Sequence, residues 1–196
     1  RSLVSFYDMG REAGLYLVKQ QKQLGKPISV AWFPGPHGAA WVASGTKGFL
    51  DAIKPWPIKV KATRYGDVGR RQQAILLQEV FKSNTHLDFV VGTAPTILAA
   101  LPLVRRLKNQ PKLISYYMTR GIYNAIKRKQ VLAAPTDKAV LQGRLAIDQV
   151  IRVLEKKPFT KHVGPIIEVV DQTTIEHISV DQLLAPNGYT AEMLIE

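Results

Sequence analysis

The chain has 196 residues, of which 27 are Lys or Arg and 15 are Asp or Glu, so its formal net charge is +12. Its apolar fraction of 46% is typical of a globular protein and too high for a disordered chain. No apolar run approaches the roughly 18 residues that cross a membrane. The absence of Cys excludes disulfides, thiolate zinc sites and Cys nucleophiles.

The hydrophobic pattern predicts strands and helices that alternate along the chain. The predicted strands are 3–6, 28–33, 58–64, 87–92, 112–117, 131–134 and 163–170. The predicted helices are 10–23, 41–53, 69–83, 95–108, 121–128 and 137–156. This alternation predicts an α/β fold with a parallel sheet covered by helices on both faces. In such sheets ligands bind beyond the C-terminal ends of the strands.

The positive charge is distributed unevenly. The segment 105–129 contains eight basic residues and no acidic residue, whereas 162–196 contains six acidic residues and neither Lys nor Arg. Basic patches are typical of nucleic-acid-binding proteins, but helix ends and solvated faces also account for such charge. The uneven charge therefore favours a solvated surface, and binding to a partner of opposite charge remains an alternative.

Motifs that carry catalysis are missing from the sequence. It has no phosphate-binding loop, no nucleophile elbow and no paired metal-binding His on a helix. The four His are far apart and lack the spacing of metal ligands. The loop Gly35–Gly38 follows a predicted strand but lacks the glycine spacing of a dinucleotide site. The sequence therefore predicts no enzyme, no cofactor and no metal.

Aromatic residues are concentrated where the predicted strands end. These residues are Tyr7, Trp41, Tyr65, Tyr116 and Tyr117. Several aromatic faces together attract a methylated ammonium group, although single Trp and Tyr residues at strand ends also cap a core. Both interpretations remain open for each ring.

Two polar residues in the same loops have alternative interpretations. Thr93 precedes the helix predicted at 95–108, where a Thr caps the helix or contacts a ligand. Asp137 opens the helix predicted at 137–156 and is either its cap or a carboxylate at a hinge. Asp8, Asp67 and Asp137 all lie in loops where a carboxylate complements a positive charge.

Long stretches of the chain resemble one family. These are SFYDMGREAGLYL, ISVAWFPGP, GTKGFLDAI, LDFVVGTAPTILAALPLVRRL and KLISYYMTRGIYNAIKRKQVLAAPTDKAVLQGRLAIDQVI. They are similar to the second lobe of type I periplasmic binding proteins of the ribose-binding-like group, and the resemblance covers nearly the whole chain. It implies an α/β fold of Rossmann-like lobes, with parallel sheets flanked by helices and with the first lobe largely missing.

The resemblance also implies a division of the chain. Residues 1–118 correspond to the second, C-terminal lobe, and 119–157 to a segment that returns to the first, N-terminal lobe. Residues 158–196 correspond to the hinge crossing and a C-terminal strand and tail. The start at Arg1, which lacks an initiator Met, is expected to follow a preceding first lobe.

Details of the sequence resemble a branch of this family that is associated with trimethylamine N-oxide sensing. They are FPGP, APTDK and the stretches Tyr116–Tyr123 and Gly164–Glu168. The stretch Trp41–Gly48 lacks the Arg that sugar-binding members have there, which argues against a sugar ligand.

The resemblance implies five ligand-binding residues, namely Tyr7, Trp41, Thr93, Tyr117 and Asp137, with Met118 as the alternative to Tyr117. Asp67 or Val68 stands near a position at which the family has an aromatic contact, so an aromatic ring is missing there.

The function implied is that of a periplasmic, non-enzymatic protein. It would bind trimethylamine N-oxide, or a related small methylated amine, between two lobes and signal to the periplasmic domain of a membrane sensor histidine kinase. Neither nucleic-acid binding nor membrane insertion is expected. Two alternatives remain: the ligand-binding domain of a LacI-type transcription repressor and a sugar-uptake binding protein.

Overall fold

A computed structural model of the chain describes residues 2–83 and 86–189. In this part of the chain the strands are β1 (Ile28–Gly35), β2 (Ile58–Tyr65), β3 (Phe89–Gly92), β4 (Lys112–Ser115), β5 (Ala133–Thr136) and β6 (Glu168–Asp171). The helices are α1 (Phe6–Leu24), α2 (Ala40–Ile53), α3 (Arg70–Ser83), α4 (Ala94–Val104), α5 (Arg120–Lys127), α6 (Ala139–Leu154) and α7 (Val180–Leu183). The end of the tail predicted at 158–196 lies outside the described residues.

The six strands form one sheet in the order β2-β1-β3-β4-β5-β6. Neighbouring strands from β2 to β5 are parallel, and β6 is antiparallel to β5. The strands β1, β3 and β5 are buried along their whole length, as expected of parallel strands covered on both faces. The sheet confirms the predicted α/β fold, with an antiparallel last strand.

Two separate apolar cores lie on the two faces of the sheet. Because successive side chains of a strand point to opposite faces, Trp32 of β1 packs with α1 and α2 while its neighbour Phe33 packs with α3, α4 and α5. Trp32 is fully buried and stacks on Phe49 of α2 with ring centroids 4.1 Å apart.

Helices α1 and α2 touch through their backbones. A Cβ atom on Gly10 would lie 1.9 Å from the carbonyl oxygen of Gly45, and one on Gly48 would lie 1.9 Å from that of Tyr7. Only glycine fits at these crossing points, because any side chain would push the helices apart. The crossing packs the first turn of α1 against the middle of α2, and the ring of Phe6 lies 6.2 Å from that of Trp41 at the start of α2, where the cavity described below begins.

The start of the chain differs from its prediction. A strand was expected at 3–6, but the structure has one bridge between Ser2 and Val163, and α1 already begins at Phe6. The hydroxyl of Ser5 accepts a hydrogen bond from the Asp8 N–H at 3.1 Å, which caps the helix. The strand predicted at 163–170 is likewise shortened to β6, because the Gly164-Pro165 pair interrupts the pattern.

Helix α6 is packed differently from the other long helices. None of its residues is buried, and a row of large apolar side chains remains exposed, including Ile147 at 62% and Leu154 at 75%. Strand β5, by contrast, belongs to the same sheet as β1–β4, and α5 packs on that sheet with Ile122 and Ile126 buried in its core. The chain therefore leaves the body of this sheet after Thr136, at the start of α6.

No helix of the part that the structure describes has both the length and the apolar character needed to cross a bilayer.

Candidate functional site

An open cavity of about 360 Å³ lies at the C-terminal ends of β4 and β5. Its lining residues come from the start of α1, the start of α2, the loop after β2 and the segments that follow β4 and β5. They are Val4, Phe6, Met9, Trp41, Val68, Tyr116, Tyr117, Met118, Asp137 and Ala139. This is the edge of a parallel sheet at which ligands are expected.

Aromatic rings form one wall of the cavity. The rings of Trp41 and Tyr116 are stacked at 6.3 Å with an interplanar angle of 11°. Phe6 lies 6.2 Å from Trp41, and Tyr117 lies 6.0 Å from Tyr116. Trp32 packs edge-on against Tyr116 from the core side at 5.6 Å. The wall therefore has electron-rich ring faces that attract a cationic or methylated nitrogen.

The position of Tyr116 depends on a glycine and a backbone carbonyl. Its hydroxyl donates a hydrogen bond to the Phe6 carbonyl oxygen at 3.3 Å, and a Cβ on Gly45 would lie 1.9 Å from that hydroxyl. Burial raises the pKa of Tyr116 well above its ordinary value of 10.0. The phenol is therefore neutral at neutral pH and ties the start of α1 to the end of β4.

The second tyrosine of the wall, Tyr117, has a different hydrogen-bond arrangement. Burial raises its pKa, while a hydrogen bond from the Ala94 backbone N–H acts in the opposite direction. The hydroxyl is therefore neutral at neutral pH, and a neutral phenol has one proton with which to donate a hydrogen bond.

Asp137 supplies the one charged side chain of the lining residues in the described part of the chain. Its Oδ2 atom accepts a hydrogen bond from Nε2 of Gln142 at 3.0 Å, and its backbone carbonyl accepts another from the same amide at 3.0 Å. The cap position of α6 is Lys138, which has a left-handed backbone with φ of 48°. Asp137 thus precedes the helix cap and faces the cavity.

Lys138 beside it makes an ion pair of its own. Its Nζ lies 2.9 Å from Oε1 of Glu168 on β6, and its side chain is only 11% exposed. The Lys138 N–H donates to the hydroxyl of Thr136 at 3.1 Å. The positive charge of Lys138, the residue after Asp137, is therefore paired with the carboxylate of Glu168 on β6.

The structure brings together three of the five predicted ligand-binding residues. Trp41, Tyr117 and Asp137 line the same cavity, whereas Tyr7 and Thr93 are not among its lining residues. Val68, near which the family has an aromatic contact, also lines it. The ligand-binding role of these residues is a prediction.

Tyr7 lies on α1 and points toward α2. Its hydroxyl donates to Oδ2 of Asp51 at 3.0 Å, and Nζ of Lys47 lies 5.2 Å from its ring centroid. The hydrogen bond to Asp51 raises the pKa of Tyr7. These contacts join the two helices on their exposed side.

Thr93 belongs to a buried hydrogen-bond network. Its hydroxyl lies 2.7 Å from that of Thr96, which donates to Oε1 of Gln73 at 2.7 Å. Nε2 of Gln73 donates to the carbonyl oxygens of Gly66 and Asp67 at 3.1 and 2.7 Å. Thr93 therefore takes part in holding the loop that carries Val68 to the cavity.

Four lining residues were missed from the sequence, namely Val4, Phe6, Met9 and Ala139. The strand predicted at 3–6 concealed Val4 and Phe6, and the helix predicted at 10–23 began one residue after Met9. Phe6 and Met9 are three residues apart, which places them on one face of a helix. The cap pattern at Ser5 and Asp8 was the signal that would have revealed this helix.

Comparison with known proteins identifies the family. A profile described as "Periplasmic binding proteins and sugar binding domain of LacI family" matches residues 4–187. The chain therefore belongs to the family of type I periplasmic binding proteins.

Particular relatives are similar over nearly the whole chain. The periplasmic protein TorT of Escherichia coli K12 is 33% identical over 186 residues, which are 95% of this chain and 54% of TorT. The chain thus spans about half the length of the curated relatives it matches.

Solved structures also match the fold and the sequence. A solute-binding protein of an ABC transporter from Bradyrhizobium sp. BTAi1, with bound Bis-Tris, is 46% identical with a TM-score of 0.90. The match covers 96% of this chain and 57% of that protein. A complex of TorT with the TorS sensor domain in the presence of TMAO (trimethylamine N-oxide) matches with 32% identity and a TM-score of 0.87, over 95% of this chain and 62% of that one.

Proposed function

We propose that the chain forms most of one lobe of a periplasmic, non-enzymatic binding protein. The protein binds trimethylamine N-oxide, or a related small methylated amine, between two lobes and signals to the periplasmic domain of a sensor histidine kinase. The observation that carries this proposal is one cavity lined both by the aromatic wall of Trp41, Tyr116 and Tyr117 and by the carboxylate of Asp137.

The chemistry of the cavity suits an N-oxide. Its methylated nitrogen is positively charged and is attracted by the face of Trp41, which stacks with the buried ring of Tyr116, and by the carboxylate of Asp137. Its oxide oxygen needs a hydrogen-bond donor, and the neutral hydroxyl of Tyr117, a lining residue, supplies one. A sugar would instead need several donors and acceptors around its hydroxyls, and the lining of the cavity is mostly apolar.

The cavity is open, and we propose that a first lobe covers it. Residues 1–118 then belong to the second lobe, 119–157 lead toward the first lobe, and 158–196 cross back and end in the tail. The exposed apolar row on α6 supports this division, because such a surface is expected to be covered by other residues. Within 119–157, α5 and β5 still pack in the second lobe, because β5 pairs with β4 and α5 contributes Ile122 and Ile126 to the core, so we place the crossing itself at Asp137.

The mechanism that follows is hinge closure. A ligand that touches both lobes only in the closed form shifts the population toward that form. Asp137 lines the cavity and directly precedes α6, so it is placed to contact the ligand at the crossing between the lobes. The closed form is then the state that a sensor domain recognises, in line with the similarity to TorT in its complex with TorS.

Calorimetric titration of the intact protein with trimethylamine N-oxide, alone and with its sensor domain, tests the proposal. Trp41→Ala is expected to weaken binding about tenfold or more, because a desolvated cation–ring contact contributes roughly 1–2 kcal/mol. Asp137→Ala is expected to weaken it as well, through loss of the carboxylate.

Trp56→Ala is the matched control. This Trp contacts Lys22, whose Nζ lies 4.3 Å from its ring centroid, and does not line the cavity. Binding should therefore be unchanged in the control. Absence of binding by the wild-type protein, both alone and with the sensor domain, would contradict the ligand assignment.

Solute uptake is a second candidate. The similarity to the Bradyrhizobium solute-binding protein favours it, since the two chains are 46% identical and Bis-Tris, bound in that structure, is also an amine. Under this alternative the same cavity binds a small amine and delivers it to a permease. Ligand binding without any interaction with a sensor domain would favour uptake over signalling.

A further inference from the structure

The charge of the cavity rests on one carboxylate. Asp137 is the single charged side chain among the lining residues that the structure describes. The adjacent Lys138 does not neutralise it, because its Nζ is paired with Glu168 at 2.9 Å. A ligand in the cavity therefore meets a negative charge beside aromatic faces.

Gln142 holds this carboxylate in place. Its side-chain amide has two hydrogens and donates one bond to Oδ2 and one to the backbone carbonyl of Asp137, both at 3.0 Å. Gln142 is itself anchored through its backbone. Its N–H donates to the Lys138 carbonyl at 2.9 Å, and its carbonyl accepts from the Ser2 hydroxyl at 2.8 Å.

We infer that Gln142 is a positioning residue that fixes the Asp137 carboxylate so that the cavity selects molecules with a positively charged methylated nitrogen over molecules of the same shape that lack one. The inference rests on the proposed function and narrows the ligand class to methylated ammonium groups. Gln142 does not line the cavity and acts through Asp137 alone.

The two oxygens of the Asp137 carboxylate have different surroundings, which explains how Gln142 can hold the group and still leave it able to attract a ligand. Oδ2 is engaged by Gln142, while Oδ1 has no hydrogen-bond partner among residues 2–83 and 86–189. A carboxylate held in one orientation interacts with a bound cation without first losing rotational freedom. The aromatic wall excludes water from one side, which strengthens the attraction between unlike charges.

Three probes share a trimethyl group and differ in charge. Tetramethylammonium carries a full positive charge, trimethylamine N-oxide is neutral overall with a positive nitrogen, and tert-butanol is uncharged. Calorimetric titration of the intact protein with each probe measures charge selection independently of shape.

Asp137→Asn is expected to lower the affinity for tetramethylammonium about tenfold or more, the size expected for loss of a contact with a charged group. Its effect on the N-oxide should be smaller, and the affinity for tert-butanol should change by less than about twofold. Gln142→Met keeps the side-chain length and removes the amide. It should shift the three affinities in the same order, with about a threefold loss for tetramethylammonium.

A double mutant separates positioning from a purely structural role. If Gln142 acts through Asp137, adding Gln142→Met to Asp137→Asn will cause no further loss for tetramethylammonium. Gln149→Met is the matched control, because Gln149 lies on the same helix and donates to Asp148 at 2.9 Å, away from the cavity. This control should retain the wild-type ratio of affinities.

The outcomes distinguish the inference from the proposed function. Equal weakening of all three probes by Gln142→Met would overturn the positioning role, because a structural defect has no charge preference. If trimethylamine N-oxide binds but Asp137→Asn leaves the ratio of affinities unchanged, charge selection is wrong and the proposed function stands. If none of the three probes binds to the wild-type protein, both fail.

Discussion

The helices that cover the sheet and helix α6 share the same apolar periodicity but differ in what their apolar faces contact. Helices α1 and α2 cover one face of the sheet and bury Met9, Leu17 and Phe49. Helix α6 has an equally regular apolar row, but none of its residues is buried in the described part of the chain. Apolar periodicity therefore predicts that a helix forms and which of its faces is apolar, but it does not predict which surface covers that face.

The largest effect is expected in the body of the sheet. Trp32→Ala removes a fully buried ring that stacks on Phe49 and packs against Tyr116. It should lower the free energy of unfolding by about 3–5 kcal/mol, the usual cost of such a cavity. Urea unfolding of the intact protein measures this. A loss below about 1 kcal/mol would contradict the rigid core inferred for this face.

The next prediction concerns α6 and depends on the proposed first lobe. Ile151→Ala in the 196-residue chain should change stability by less than about 0.5 kcal/mol, because the side chain is 47% exposed. In the intact protein the same substitution should cost about 2 kcal/mol or more if the first lobe buries it. Equal losses of stability in the 196-residue chain and in the intact protein would contradict the proposal that a first lobe buries the apolar face of α6.

The dependence of stability on acid pH is expected to differ between a carboxylate of the sheet, Asp171 on β6, and a carboxylate on α6. Burial acts to raise the pKa of Asp171, but hydrogen bonds from Thr173 and the charge of Lys19 outweigh it, so the pKa is below 3.8. A depressed pKa stabilises the fold above the unfolded value, and this stability is lost as the pH falls below 3.8 toward the folded pKa.

Asp171→Asn should therefore lower stability at pH 7 and flatten the loss of stability that the wild type shows as the pH falls below about 4. Asp148→Asn on α6 is the control, since Asp148 is half-exposed and pairs with Arg152 at 2.8 Å. Its effect should stay within about 0.5 kcal/mol. Urea unfolding over this pH range checks both variants, and parallel curves for Asp171→Asn and the wild type would contradict the assignment.

The smallest effect is expected at Tyr7. Tyr7→Phe removes the hydroxyl that donates to Asp51 on the exposed side of α1 and α2, and should cost less than about 1 kcal/mol. Because Tyr7 is not a lining residue, ligand affinity should remain unchanged in calorimetry. A loss of affinity would instead support the sequence prediction that Tyr7 contacts the ligand.

Much of the fold was predictable because buried parallel strands have a strong local signal. The continuous apolar run of β1 and the cap at Thr119 of α5, whose hydroxyl accepts from the Ile122 N–H, are local features. The start of α1 was predicted wrongly because four apolar-rich residues read equally well as a strand or as a first helical turn. The Ser5 cap decides between them.

The candidate site was predictable in part. Trp41, Tyr117 and Asp137 stand at strand ends or helix starts, and the ends of parallel strands meet at one edge of a sheet. Thr93 stands in an equivalent place, yet its hydroxyl is used by Thr96 and it is fully buried. Position along the chain does not reveal which direction a loop side chain takes.

The α/β class, the order of most elements and the aromatic character of the strand ends can be predicted from the sequence, because they depend on local periodicity and residue type. The packing of separate elements, in contrast, pairs Lys138 with Glu168 and sets Gly45 against Tyr116, where a residue without a side chain leaves room for the ring. Such contacts depend on where separate elements meet in space, and no local pattern encodes that distance.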